Sequence, residues 1–116
     1  GHDGSLSTGH ANSPKDMLSR LESMVLMGME LPLGAVQRQI ASGIDIIVHL
    51  GRLRDKSRKV LEVSEILDYQ DGEILVSPLY RFEETGEKDG KIQGTWRKMD
   101  DLVHTQKLLA AGYKEV

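Results

Sequence analysis

Gly1-His2-Asp3-Gly4-Ser5-Leu6-Ser7-Thr8-Gly9-His10-Ala11-Asn12-Ser13-Pro14 is a run of small and hydroxylated residues that holds two of the four histidines, eight positions apart. Ser13-Pro14-Lys15-Asp16 closes it with a helix start. Ser13 is a capping residue, Pro14 fits the first helical position, and Asp16 completes a capping-box-like pair. So many small residues allow only a short strand, expected at Ser5–Thr8, where backbone can approach a ligand. A strand that leads into a helix start is the place where α/β proteins put phosphate chemistry.

Outward from this run, the periodicity changes twice. Met17, Leu18, Leu21, Met24 and Val25 form one apolar stripe, which predicts a helix over Pro14–Met27 with Gly28 as a left-handed cap. The methionines at 17, 24 and 27 read as packing residues. Leu33, Val36 and Ile40 give a second helix over Leu33–Ser42, closed by Gly43. Ile44, Ile46, Val48 and Leu50 then alternate, which predicts a strand. A basic turn follows from Arg52 to Lys59, and Val60–Leu67 reads as the returning strand. Asp71-Gly72 is a hairpin signal. Glu73–Val76 and Leu79–Phe82 make the third strand, with Pro78 marking an edge or a bulge. The charged, glycine-containing stretch 84–95 is expected to be a flexible loop. Ile92–Met99 is read as a short edge strand, and Leu102–Ala111 as a closing helix capped by Asp100 or Asp101 and stopped by Gly112. The expected fold class is therefore α/β: two helices, an antiparallel three-strand meander and a C-terminal helix.

The chain has 116 residues, 39% hydrophobic and 28% charged. That suits one domain with a modest core. A net charge of -3 gives no electrostatic case for nucleic acid. With no cysteine, a disulfide framework and a thiolate metal site are both excluded. The longest apolar run, Met24–Met29, is broken by Gly28 and is far short of a membrane span. The histidines at 2, 10, 49 and 104 show no metal-ligand spacing, so no metal site is expected.

The opening run resembles the His-box of the type II/IV secretion-system ATPases (traffic ATPases), the ring-forming motors of secretion and pilus assembly. That pattern is Thr-Gly-His-x-Gly-Ser-x-x-Thr-x-His-Ala-Asn-Ser, and Gly1, His2, Gly4, Ser5, Thr8, His10, Ala11, Asn12 and Ser13 match it in order. Ser13–Met24 is similar to the helix that follows in the family. Gln39–Leu50, Arg52-Leu53-Arg54-Asp55 and Ser57–Val60 are most similar to the branch that powers tight-adherence (Flp) pilus assembly. Matching covers roughly residues 1 to 83, and the tail agrees only in its Gly-rich loop and closing Leu-x-x-Ala-Gly.

The resemblance implies that residues 1–116 are a single partial domain, the C-terminal half of a RecA-like P-loop ATPase domain entered inside the His-box. The parent would be bacterial, cytoplasmic and peripheral to the inner membrane. It would hydrolyse ATP with Mg as a hexameric ring and drive inner-membrane platform proteins. His10 would sense the γ-phosphate, with His2 beside it, and Arg52 and Arg54 would be candidates for the nucleotide or subunit interface. In a strand those two arginines would share a face. A solvated hairpin, with Asp55, Glu62 and Glu65 partnering its cations, is the plainer reading of the same turn.

Walker A spacing requires Gly, four residues, then Gly-Lys-Ser/Thr, and it does not occur here. Gly86–Ile92 comes nearest, one residue short and without the hydroxyl. The 116 residues alone are therefore expected to bind no ATP or Mg and to be inactive. They are also expected to self-associate as a dimer through a bare edge beside Ser5–Thr8. The alternative function is a non-catalytic interaction module that docks through the basic hairpin or an exposed edge strand.

Overall fold

The computed structural model describes residues 6–28 and 32–113. It is a two-layer α/β arrangement: helices α1 (Pro14–Gly28) and α2 (Leu33–Gly43) pack on one antiparallel sheet. The strands are β1 (Ile46–Arg52), β2 (Arg58–Gln70), β3 (Glu73–Lys88) and β4 (Lys91–Lys98), in the order β1-β2-β3-β4. A short helix α3 (Gln106–Ala110) follows.

Helix α1 begins as its sequence dictates. The Asp16 amide donates to Ser13 Oγ at 3.0 Å, and the Asn12 amide donates to Asp16 Oδ2 at 2.9 Å. This reciprocal pair satisfies two of the free amides at the start of the helix. Leu18 of α1, Val36 and Ile40 of α2 and Ile66 of β2 form the core, with Leu21, Val25, Ile47 and Val76 packed around them. Arg38 of α2 lies over the Tyr69 ring, 5.1 Å from its centroid. Gly34 keeps this approach open, since a Cβ there would stand 3.2 Å from the Tyr69 hydroxyl.

The sheet differs from expectation in extent. It has four strands, because the stretch 84–95 is not an irregular loop. It forms the end of β3, a turn and the start of β4. Asp89 and Gly90 both take positive φ, as do Asp71 and Gly72, so the molecule has two Asp-Gly hairpin turns of the same kind. Pro78 sits in β3 where the register jumps: Tyr80 faces Val63, but Pro78 faces Ser64. The unpaired residue at this bulge is Leu79, next to the proline.

The β1–β2 turn and the β3–β4 hairpin curl together. Asp55, in the β1–β2 turn, accepts the Ile92 amide of β4 at 2.8 Å. Trp96 Nε1 donates to the Val60 carbonyl at 2.6 Å and its ring meets Phe82 edge-on at 5.5 Å. Gly94 permits this packing, because a Cβ there would fall 2.5 Å from the Glu83 carbonyl oxygen.

Three smaller expectations are corrected. Residues 6–8 form no strand, and Ser5 lies outside the described residues. Gly28 is the last residue of α1 and takes no left-handed φ. Met24 and Met27 are exposed, as is Leu33, so the stripes they belong to are only partly buried.

The closing helix is shorter than expected because residues 101–105 are irregular. Their amides go elsewhere: Glu65, 2% exposed, accepts the Val103 and His104 amides at 2.8 and 2.9 Å. The helix ends at Ala110 and is closed at Gly112, with the Tyr113 amide bonded to the Leu108 carbonyl and the Gly112 amide to that of Leu109. With φ at +101° on Gly112, this is a Schellman closure.

Candidate functional site

His10 is exposed and sits in an irregular segment four residues before α1. That segment lies against the helix. Gly9 approaches Met17 so closely that a Cβ would come within 2.8 Å of its Cε. Between the two runs a shallow groove of about 550 Å³, lined by Thr8, Gly9, His10, Met17, Arg20 and Met24. Arg20 is held in it by Asp16 at 3.1 Å. The Asp16 carboxyl is held below its usual range, first by the Asn12 amide and then by Arg20.

The start of α1 is thus filled by its own side chains. Ser13 takes the Asp16 amide there, and His10 is exposed at the mouth of the groove. His2 lies outside the described residues.

Arg52 and Arg54 are not brought together as a pair on one strand face. Strand β1 ends at Arg52, and Arg54 lies in the turn. The Arg54 guanidinium forks onto Glu84, with Nη1 2.8 Å from Oε2 and Nη2 on Oε1, and Glu87 stands 3.6 Å away. These carboxylates raise the Arg54 pKa further, the Glu84 hydrogen bond most of all. The guanidinium therefore ties the turn to β3. Arg52 is exposed and faces Arg58 directly across the ladder. Like charges so placed repel, and the described contacts give neither a carboxylate partner. Neither arginine lines the His10 groove.

Sequence reasoning misassigned the carboxylates of this region. Asp55 forms no ion pair within 4 Å among the described residues. It takes the Ile92 amide and both the amide and hydroxyl of Ser57, and these bonds, Ile92 first, hold its carboxyl down at about 2. Glu62 pairs with Arg81 at 2.9 Å across β2 and β3. Burial opposes ionisation there, but bonds from Ser64 and Arg81 outweigh it and leave its pKa below the usual value. Glu65 is the buried anchor of the C-terminal segment. His104, expected on the last helix, precedes it, with Nε2 2.9 Å from the Leu67 carbonyl oxygen. Among the described residues no three His, Asp or Glu side chains group as a metal site. No helix among them is long and apolar enough to cross a membrane.

With the geometry in place, comparison with known proteins adds one relationship. The chain is similar to two proteins from two strains of Mycobacterium tuberculosis, each provisionally named a conjugal transfer protein. Identity is 30% over 74 residues, which is 64% of this chain and 20% of each relative. The chain therefore spans about a fifth of the length of these curated relatives. No family model matches it.

Proposed function

We propose that this chain is the C-terminal part of a RecA-like ATPase domain in a motor for type IV secretion-related transfer or Flp pilus assembly. In this reading His10 reports the γ-phosphate of an ATP bound elsewhere in the ring. The observation that carries it is His10 itself: it is the sixth of the nine positions of the ordered pattern and stands exposed at a groove mouth, before a helix whose N-terminus is capped by Ser13. The similarity to conjugal transfer proteins supports the transport context.

The chemistry follows from the side chain. A neutral imidazole can donate one hydrogen bond to a phosphate oxygen, and a protonated one adds charge. The Ser13–Asp16 cap and the close approach of Gly9 to Met17 fix where the segment meets α1. The cradle for the triphosphate and the carboxylates for Mg belong to other parts of the parent, because this chain has no Walker A spacing. Ring assembly as a hexamer, cytoplasmic placement against inner-membrane platform proteins, and use of Arg52 at a subunit boundary belong to the same proposal. Arg52 is the better of the two arginines for that role, since Arg54 is engaged by Glu84.

ATP hydrolysis by the whole polypeptide, measured as phosphate release before and after His10→Ala, tests the reading. Loss of a donor to developing phosphate charge lowers turnover by about 100-fold. Unchanged turnover overturns the role of His10.

A further inference from the structure

One carboxylate oxygen joins the His10 segment to an arginine of α1. Asp16 Oδ2 accepts the Asn12 amide at 2.9 Å, two residues after His10, and Arg20 Nε at 3.1 Å. Asp16 and Arg20 are about one turn apart, so their side chains meet on one side of the helix. Arg20 lines the same groove as His10.

The arginine is only partly engaged. Asp16 holds its Nε, and no further hydrogen bond to the guanidinium is present among the described residues. Its side chain is 56% exposed. The Nη1 and Nη2 groups keep their N–H donors. Together they form a planar fork that matches two oxygens of one phosphate. An exposed ion pair at this spacing adds little to stability, so holding the helix is a small part of what this arginine can do.

We infer that Arg20 is a second phosphate contact at this site, its free fork taking γ-phosphate oxygens while Asp16 holds its Nε. The inference rests on the reading of His10 as a γ-phosphate donor. The two side chains have different tasks. A neutral imidazole donates one hydrogen bond and brings no charge. A guanidinium is charged at every working pH and binds two oxygens at once. The negative charge of Asp16 is offset by Arg20 itself and by the positive end of α1, so it does not turn a phosphate away. ATP differs from ADP in the γ-phosphate alone, so a contact of this kind sets the preference between them before any bond is broken.

Equilibrium binding to the whole polypeptide tests this, with Mg and a non-hydrolysable ATP analogue in one series and Mg-ADP in the other. Arg20→Ala is expected to weaken the analogue by about 10-fold or more and to leave ADP within about twofold. Arg20→Lys keeps the ion pair but not the fork. It is expected to lose part of the analogue affinity with ADP again unchanged, and it decides the matter should circular dichroism show Arg20→Ala misfolded. Analogue affinity unchanged in both variants overturns the inference. So does an equal fall for analogue and ADP, which would place Arg20 away from the γ-phosphate. The two readings fail separately. Hydrolysis that depends on His10 while Arg20→Ala keeps its preference removes Arg20 alone. A lost preference in Arg20→Ala with hydrolysis unchanged in His10→Ala removes His10 and keeps Arg20. A whole polypeptide that binds neither nucleotide overturns both.

Discussion

Asp55 shows how one side chain can define a turn. Lys56 beside it takes φ of +69°, and the Asp55 carboxylate absorbs the amides that this turn and β4 leave free. Its pKa falls to about 2 from an ordinary 3.8. A depressed folded-state pKa means that the stabilisation is fully present above about pH 4 and is lost as pH falls toward 2. Asp55→Asn is therefore expected to lower stability at pH 7 and to flatten the acid limb between pH 4 and 2, read by urea unfolding across pH. Glu65 is the second such residue. Glu65→Ala strands the Val103 and His104 amides, which costs about 1–3 kcal/mol. It should also speed hydrogen exchange in residues 99–113 more than in β2. Uniform exchange across the chain would contradict the anchor. Neither role was legible in the sequence, because each carboxylate bonds to backbone 37 to 39 residues away. Proximity to the basic turn pointed instead to ion pairs.

At the scale of elements, signals that lie within one segment were readable. The Ser13–Asp16 cap, both major helices, the Asp71-Gly72 turn and the bulge at Pro78 follow from residues within a few positions of each other. The β3–β4 hairpin did not, although Asp89-Gly90 repeats the dipeptide at 71 and 72. Its flanks are charged, and the end of β3 is exposed on both faces, so no period-2 pattern marks it. It is held from outside by Arg54 on Glu84, and across its own strands by Arg97 4.0 Å from Glu83 and by the Phe82–Trp96 pair. Gly90→Ala imposes a side chain at φ of +77°. It should cost about 1 kcal/mol and lower the thermal midpoint. No change on substitution would show that the turn is not formed in solution. The expected strand at Ser5–Thr8 fails for the opposite reason: small residues permit a strand, but residues 6–8 have no partner strand to pair with among the described residues.

For the whole molecule, the helical layer and the basic turn are separate structures. The groove at His10 belongs to α1, and the turn at Arg54 belongs to the curled end of the sheet. In the proposed reading, the candidate site was legible as residue types in order, since the pattern from Gly1 to Ser13 is local. It was not legible as a pocket, because that reading draws the remaining groups from outside these 116 residues. The 116 residues alone should therefore take up ATP negligibly, and isothermal titration showing micromolar binding would contradict that. The central claim concerns His10 in the whole polypeptide, and single-turnover hydrolysis of Mg-ATP tests it most directly. His10→Ala should lower the rate by about 100-fold while nucleotide affinity stays within about twofold, and His10→Gln, which keeps a donor, should recover part of the loss. An unchanged rate in His10→Ala, or a fall in affinity with the rate preserved, would contradict it.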